Sequence, residues 1–226
     1  MKIGIICAGD REIAPFYAHM EEESVSVCAK LRVHEGKICG VPVVLAESSV
    51  CKVNAAMAAM VLIERCGVEA IFSGGTAGGM AEEVQLMDTV VMTECAHHDV
   101  AEGILTEAHP YRSSIWFKSD EKLLKMARKT LGQDKTVRFG RMVTGEVFIT
   151  EEGRARINRE FAPLSVDMET AAIAQVCEAM DIPFITVRSI TDTAAHAGAE
   201  HFERNVQAAA ERSKNCILRM LECLRA

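Results

Sequence analysis

Positive charge is in short supply. The 226 residues carry 25 Lys and Arg against 32 Asp and Glu, a formal net charge of −7. A nucleic-acid footprint needs a basic stripe, and the sequence has none, so DNA and RNA are not expected partners. Long apolar runs are missing too. No segment approaches the ~20 residues of a membrane span. After Lys2 only Ile3 to Cys7 precede a Gly-Asp turn, too short for the apolar core of a secretion signal. A cytoplasmic protein without a membrane partner is expected. The nine cysteines are an odd number without a CxxC pair. With Cys7, Cys66 and Cys177 in apolar runs, they read as reduced, mostly buried thiols of a reducing compartment. His97-His98-Asp99 lacks HExxH spacing and a second cluster, so no metal is expected. Neither GxGxxG nor GxxxxGK[ST] occurs, and no cofactor is expected. There is no linker, repeat or low-complexity stretch. Residues 1–226 read as one domain, a size that buries most of its apolar surface.

What is present is an alternation of short apolar runs with helix-period segments. Lys2–Cys7 reads as a first strand, and 31–38 with 41–47 as a strand pair joined at Gly40. Asn54–Cys66, rich in Ala, Met and Leu, reads as a helix with Met57 and Met60 in the core. Ala70–Ser73 is a buried strand running into the loop Gly74-Gly75-Thr76-Ala77-Gly78-Gly79. Asp88–Thr93 and Val137–Val143 are strands, and 120–131 is a helix with Leu123, Leu124, Ala127 and Leu131 on one face. Glu151–Arg159 is a charged helix, Leu164–Val166 a short strand and Thr170–Met180 a helix. Pro183–Ile190, strongly β-branched, reads as a central strand, and about 203–224 as the last helix. The pattern predicts an α/β fold, a central mixed sheet flanked by helices. In such sheets ligands gather at the carboxyl ends of strands.

Acids stand at those ends. Glu12 follows the first strand, Asp167 and Glu169 lead from a strand into a helix, and Asp192 ends the Pro183–Ile190 run. Each has a plain alternative. Glu12 could be a solvated helix-start carboxylate, Asp167 or Glu169 could favour a helix N-terminus, Asp192 could be an N-cap, and the glycines could form a tight turn.

Taken together the segments are far more specific. Met1-Lys2-Ile3-Gly4-Ile5-Ile6 with Glu12, Lys52-Val53-Asn54-Ala55-Ala56, the glycine-rich stretch, His98-Asp99, Phe117-Lys118-Ser119-Asp120 and Thr144-Gly145-Glu146-Val147-Phe148-Ile149 are all present. So are Val166-Asp167-Met168-Glu169-Thr170-Ala171-Ala172 and Val187-Arg188-Ser189-Ile190-Thr191-Asp192. Over nearly its whole length the chain resembles the 5′-methylthioadenosine/S-adenosylhomocysteine nucleosidases of the nucleoside phosphorylase superfamily. The resemblance implies that superfamily's single-domain fold, a nucleoside substrate with water as co-substrate, and a homodimer. It implies Asp192 as the acid at purine N7, Glu169 on the ribose hydroxyls and Glu12 as the base for water. Phe148 would stack on adenine and the Ile149 backbone would read the purine edge. Thr76, Ala77 and Gly78 would lie beside the ribose, with Met168, Arg188, Val50 and Phe202 lining the substrate.

The chain departs from the family pattern in three places. Cys7-Ala8-Gly9 replaces Gly-Ala-Met, which removes a side chain on the water and ribose side. Cys51 replaces a Gly, which alters the backbone there if that glycine has positive φ. The segment Val100–Tyr111 diverges where the family builds its 5′-substituent pocket, often across the dimer interface. There Ile104 and Leu105 would form an apolar wall, and Glu102 or Glu107 would meet an ammonium. Two rivals stay open: a phosphorylase, which needs cationic hosts for phosphate where this chain has Ser73, and a non-catalytic nucleoside-binding protein.

Overall fold

The computed structural model describes residues 1–101, 103–108, 112–149, 151–196 and 198–225. Among these, chain order runs β1 (Ile3–Cys7), α1 (Asp10–Tyr17), β2 (Glu21–Cys28), β3 (Leu31–Ile38), β4 (Val41–Glu47), α2 (Lys52–Cys66) and β5 (Ala70–Gly79). Then come β6 (Thr89–His97), α3 (Ile104–Glu107), β7 (Phe117–Lys118), α4 (Glu121–Leu131), β8 (Val137–Thr144) and α5 (Glu151–Phe161). The chain closes with β9 (Ser165–Asp167), α6 (Thr170–Ala179), β10 (Phe184–Asp192) and α7 (Ala199–Arg225).

Alternating apolar residues face both sides of one mixed sheet, and helices cover each face. In β1, Ile3, Ile5 and Cys7 point into a core shared with Phe16 of α1, Leu123 of α4 and Ile217 and Leu221 of α7. Ile6 points the other way, into a core with Ala55, Ala58 and Leu62 of α2 and Ala171 and Ile173 of α6. The sheet has a branch at β5. Along one edge β5 pairs in parallel with β10, from Ile71 to Gly78. Along the other it pairs with β1 through Ala70–Ser73 and then, antiparallel, with β9 through Gly78 and Gly79. The neighbours β10, β6, β8 and β9 return to β5 and close a ring, while β1, β4, β3 and β2 extend from it as a wing.

The expected α/β architecture is present, with local differences. The glycine-rich stretch expected as a loop is the second half of β5. The last strand reaches Asp192 through a register shift between Ile190 and Asp192. Four elements, α1, β2, α3 and β7, were not anticipated. α1 contains Pro15 and spans eight residues. β2, at the sheet's edge, is almost wholly exposed and opens with Glu21, Glu22 and Glu23. Met57 and Met60, expected in the core, are 44% and 39% exposed. With Val50 and Val53 they form an outward stripe at three- and four-residue spacing, because the inner face of α2 is filled by alanines and Leu62.

Cys51 precedes α2 with φ 84° and ψ 159°, a region that is nearly glycine-only. The substitution of Cys for Gly thus falls on a backbone that disfavours a side chain. Its N–H donates to Glu169 Oε1 at 3.0 Å, so this strained turn reaches the carboxylates described below. Cys51→Gly is expected to raise stability by about 1 kcal/mol, roughly 2–4 °C in Tm for a chain of this size. Thermal unfolding checks this, and an unchanged or lower Tm would show that the turn stores no strain.

Candidate active site

The carboxyl ends of β1, β5, β9 and β10 converge on one cavity of about 460 Å³. Its floor is acidic. Glu12, Glu169 and Asp192 line it, with side chains that leave the residues only 6%, 3% and 3% exposed. Thr76, Ala77 and Gly78 of β5, Met168 and Arg188 complete the floor, and Val50, Phe148, Ile149 and Phe202 form the walls. Each of these residues, all expected at the site, therefore borders the same space.

Glu12 lies in the first turn of α1 but is not solvated. Its Oε2 accepts from the N–H groups of Ala8 (3.0 Å) and Gly9 (3.2 Å). Its Oε1 accepts from the N–H and hydroxyl of Thr76, both at 2.7 Å. Gly75 makes this possible. With φ +135° it takes a backbone that L side chains rarely adopt, and a Cβ there would sit 2.6 Å from Glu12 Oε1.

Glu169 precedes α6, and Arg188 is aimed at it from β10. Arg188 lies 3.2 Å from Glu169 Oε2 and 2.9 Å from Asp167 Oδ2, and donates to the Thr76 carbonyl at 2.9 Å. Burial opposes its charge, but Asp167, Glu169 and Glu12 outweigh that and hold it firmly cationic. Burial also raises Glu169, to about 7, with Arg188 opposing and Asp167 adding to the rise. Asp167 serves the fold as well. Its Oδ1 accepts from Thr144 Oγ1 at 2.6 Å and from the N–H of Thr170 at 3.2 Å, so it caps the start of α6. For Asp167 the helix-terminus alternative therefore holds.

Asp192 is differently placed. Thr191 Oγ1 donates to its Oδ1 at 2.8 Å. Burial pushes its pKa above the ordinary carboxylate value, against the lowering effects of Thr191, Arg154 and His201. Gly78 leaves room for it, since a Cβ there would meet Asp192 Oδ2 at 3.2 Å. Above, Phe148 and Phe202 meet edge to face with centroids 6.5 Å apart.

Sequence reasoning missed some of the lining. Arg154 of α5 is buried against the Gly79 carbonyl and the Met80 sulfur. No sequence signal marks it, because α5 reads simply as a charged helix. Arg11 forks onto Glu203 of α7 at 2.7 and 3.1 Å and packs over the Phe202 ring. The described residues of the divergent segment, expected to serve a 5′ pocket often shared across the dimer interface, lie apart from the cavity of their own chain. Leu105 is in the core and Ile104 is half exposed, and neither borders this cavity. Glu102, His109 and Tyr111 lie outside the described residues. His97 contacts Gln175, and Asp99 binds Lys52. Among the described residues no three His, Cys, Asp or Glu converge as a metal site.

A ring-and-wing mixed sheet with buried carboxylates at its strand ends defines a class, and the comparisons agree on it. The sequence profile of the phosphorylase superfamily matches residues 2–222. The chain is 32% identical over 231 residues to the 5′-methylthioadenosine/S-adenosylhomocysteine nucleosidase of Bacillus thuringiensis (strain Al Hakam), covering 100% of both chains. Among solved structures, that nucleosidase from S. pneumoniae, with the transition-state inhibitor MT-ImmA, superposes with a TM-score of 0.92 at 29% identity, over 99% of this chain and 100% of that one. Futalosine hydrolase of Helicobacter pylori shares the fold, with a TM-score of 0.90 at 24% identity, over 98% of this chain and 97% of that one. The chain belongs to the methylthioadenosine/S-adenosylhomocysteine nucleosidase family of the phosphorylase superfamily.

Removing the Arg188 cation would leave two buried carboxylates without it. Arg188→Met is expected to cost about 3–5 kcal/mol in urea unfolding at neutral pH. The loss should shrink as pH falls, because Glu169 is already raised and takes up a proton once the cation is gone. A loss that does not change with pH would show that Glu169 is not the group left uncompensated.

Proposed function

We propose that the protein hydrolyses the N-glycosidic bond of adenine nucleosides, releasing adenine and the 5′-substituted ribose. Methylthioadenosine is the expected substrate, with S-adenosylhomocysteine and 5′-deoxyadenosine as further candidates. The observation that carries the reading is three buried carboxylates in one cavity, each with different partners. Cleavage needs a proton on the departing base and an anion near the developing positive charge of the sugar. Asp192, raised by burial, is the acid at N7. Glu169 offers its oxygens to the ribose hydroxyls, oriented by Cys51 and Arg188. Glu12, fixed by four donors, orients and deprotonates the attacking water. Phe148 stacks on adenine, and Phe202 closes over the nucleoside.

Water is favoured over phosphate by the way the cavity's cations are used. A phosphate dianion needs a forked cation. Arg188 is committed to Asp167, Glu169 and Thr76, Arg11 is forked onto Glu203, and Arg154 holds the Gly79 carbonyl. Adenine release in phosphate-free buffer, with no ribose 1-phosphate on adding phosphate, is the expected result. Phosphate-dependent release would favour the phosphorylase instead, and no release from any of these nucleosides would favour the non-catalytic binder. A general acid works only while protonated, so kcat should fall as pH rises through the raised Asp192 pKa. Asp192→Asn should lose at least ~10²-fold in kcat together with that alkaline fall, and adenine release near the native rate would remove Asp192 from the role.

A homodimer fits the surface of α2. Val50, Val53, Met57 and Met60 are exposed in a row, with Ile104 and Val147 exposed as well, and exposed apolar patches of this kind mark interfaces. Sedimentation should show a dimer that Val53→Glu with Met57→Glu disrupts, and a native monomer would refute it. Nine cysteines without a disulfide suit the reducing environment of a cytoplasmic enzyme.

A further inference from the structure

Two stretches that border the cavity are not held by Arg188. One is the turn before α2, where Val50 lines a wall and the Cys51 N–H donates to Glu169 Oε1 at 3.0 Å. The other is the segment after β8, which carries Phe148 and Ile149. Neither is secured by its own conformation. Cys51 has a disfavoured φ of 84°. Val147 and Phe148 are exposed, so packing within the chain gives them little support.

Asp99 does not border the cavity, yet it joins the two stretches. Both of its oxygens accept from Lys52 Nζ, at 2.8 and 3.0 Å. Its Oδ2 also accepts from the Glu146 N–H at 2.9 Å. Glu146 completes the circuit, because its Oε1 accepts from the Lys52 N–H at 3.0 Å. That N–H is one of the first-turn donors of α2 that no helical carbonyl can satisfy. The ion pair is mostly shielded from water, with Lys52 20% and Asp99 25% exposed. Burial opposes the Asp99 charge, but Lys52 and the Glu146 N–H outweigh it and hold the carboxyl below its ordinary range.

We infer that Asp99 is a positioning residue for the hydrolysis. Through the Glu146 N–H it sets the wall of Phe148 and Ile149 against the base. Through Lys52 it holds the turn whose Cys51 N–H orients Glu169 toward the sugar. The inference rests on the placement of base and sugar in the proposed function.

The test reads kcat and KM for adenine release from 5′-methylthioadenosine, and Kd for adenine alone by calorimetry. It compares the native protein with Asp99→Ala, Asp99→Asn, Lys52→Met and Lys52→Arg. Asp99→Ala cuts both arms. It is expected to raise the adenine Kd at least ~5-fold, since a loosened aromatic loses much of its stacking on a base. It should also lower kcat at least ~10-fold, because a misplacement of ~1 Å can cost ~10²-fold in rate. Asp99→Asn keeps an acceptor for the Glu146 N–H but cannot pair with Lys52. It and Lys52→Met should therefore lower kcat by ~10-fold while the adenine Kd stays near native. Lys52→Arg, which restores the ion pair, should recover most of that kcat. These three variants decide the matter if Asp99→Ala does not fold. A purely structural role would lower Tm yet leave kcat and Kd native in the folded variants, and that result overturns the inference while the hydrolase reading stands. If the native protein releases no adenine but Asp99→Ala weakens adenine binding, the hydrolase reading falls and the role of Asp99 at the base wall stands. No binding of adenine by the native protein would overturn both.

Discussion

The arrangement turns on one guanidinium. Arg188 is 2% exposed and comes from the middle of β10, yet it reaches across to β5, β9 and the start of α6 in a single side chain. An isolated charge at such depth would be very unfavourable, and ion pairs repay desolvation only when geometry and hydrogen bonding are good. Here two carboxylates and the Thr76 carbonyl share the cation. Thr76 in turn donates twice to Glu12. The acids from α1, β9 and the start of α6 are therefore linked through β5 and Arg188 before any ligand arrives, so their spacing belongs to the core and not to loops. Asp192 stands outside this clasp, with Thr191 as its near partner.

How much of this could be read from residues alone follows from the physics of each element. β1, β4, β8 and β10 were legible because apolar, β-branched runs of strand length have few other uses. The acids were legible because they follow such runs and recur as joined motifs. The Gly74–Gly79 stretch misled because glycine is depleted in strands. Within β5 it serves tertiary crowding, as a side chain at Gly74 would press on Ile217 and one at Gly75 on Glu12. Met57 and Met60 misled because composition does not say which face of a helix points inward. Arg154 could not be found, since its role depends on α5 lying against the turn after β5. The placement of 104–107 beside the core, away from this cavity, is likewise a matter of chain path, which no local pattern encodes.

The branch at β5 also explains why small residues matter so much at this site. A strand with β10 on one edge and both β1 and β9 on the other has no free edge along which to shift. Side chains from three directions meet over it, so its own must be short, and Gly74, Gly75, Ala77 and Gly78 satisfy that. Cys51 is a counterexample, a side chain kept where the backbone disfavours one, beside the carboxylate its N–H orients.

At the far end of the wing, β2 leaves one row of backbone donors and acceptors unpaired. Such an edge is a template on which another chain can add a strand, the first step toward insoluble aggregates. Val25 and Val27 are exposed on it, which would favour that addition. Glu21, Glu22 and Glu23 oppose it, since two copies approaching edge to edge would bring like charges together, and the register break between Glu21 and Ser24 disturbs the regular ladder a newcomer would need. With Glu22 paired to Lys37 and Glu23 set against His34 of β3, the wing ends in a charged, irregular border that discourages runaway self-association.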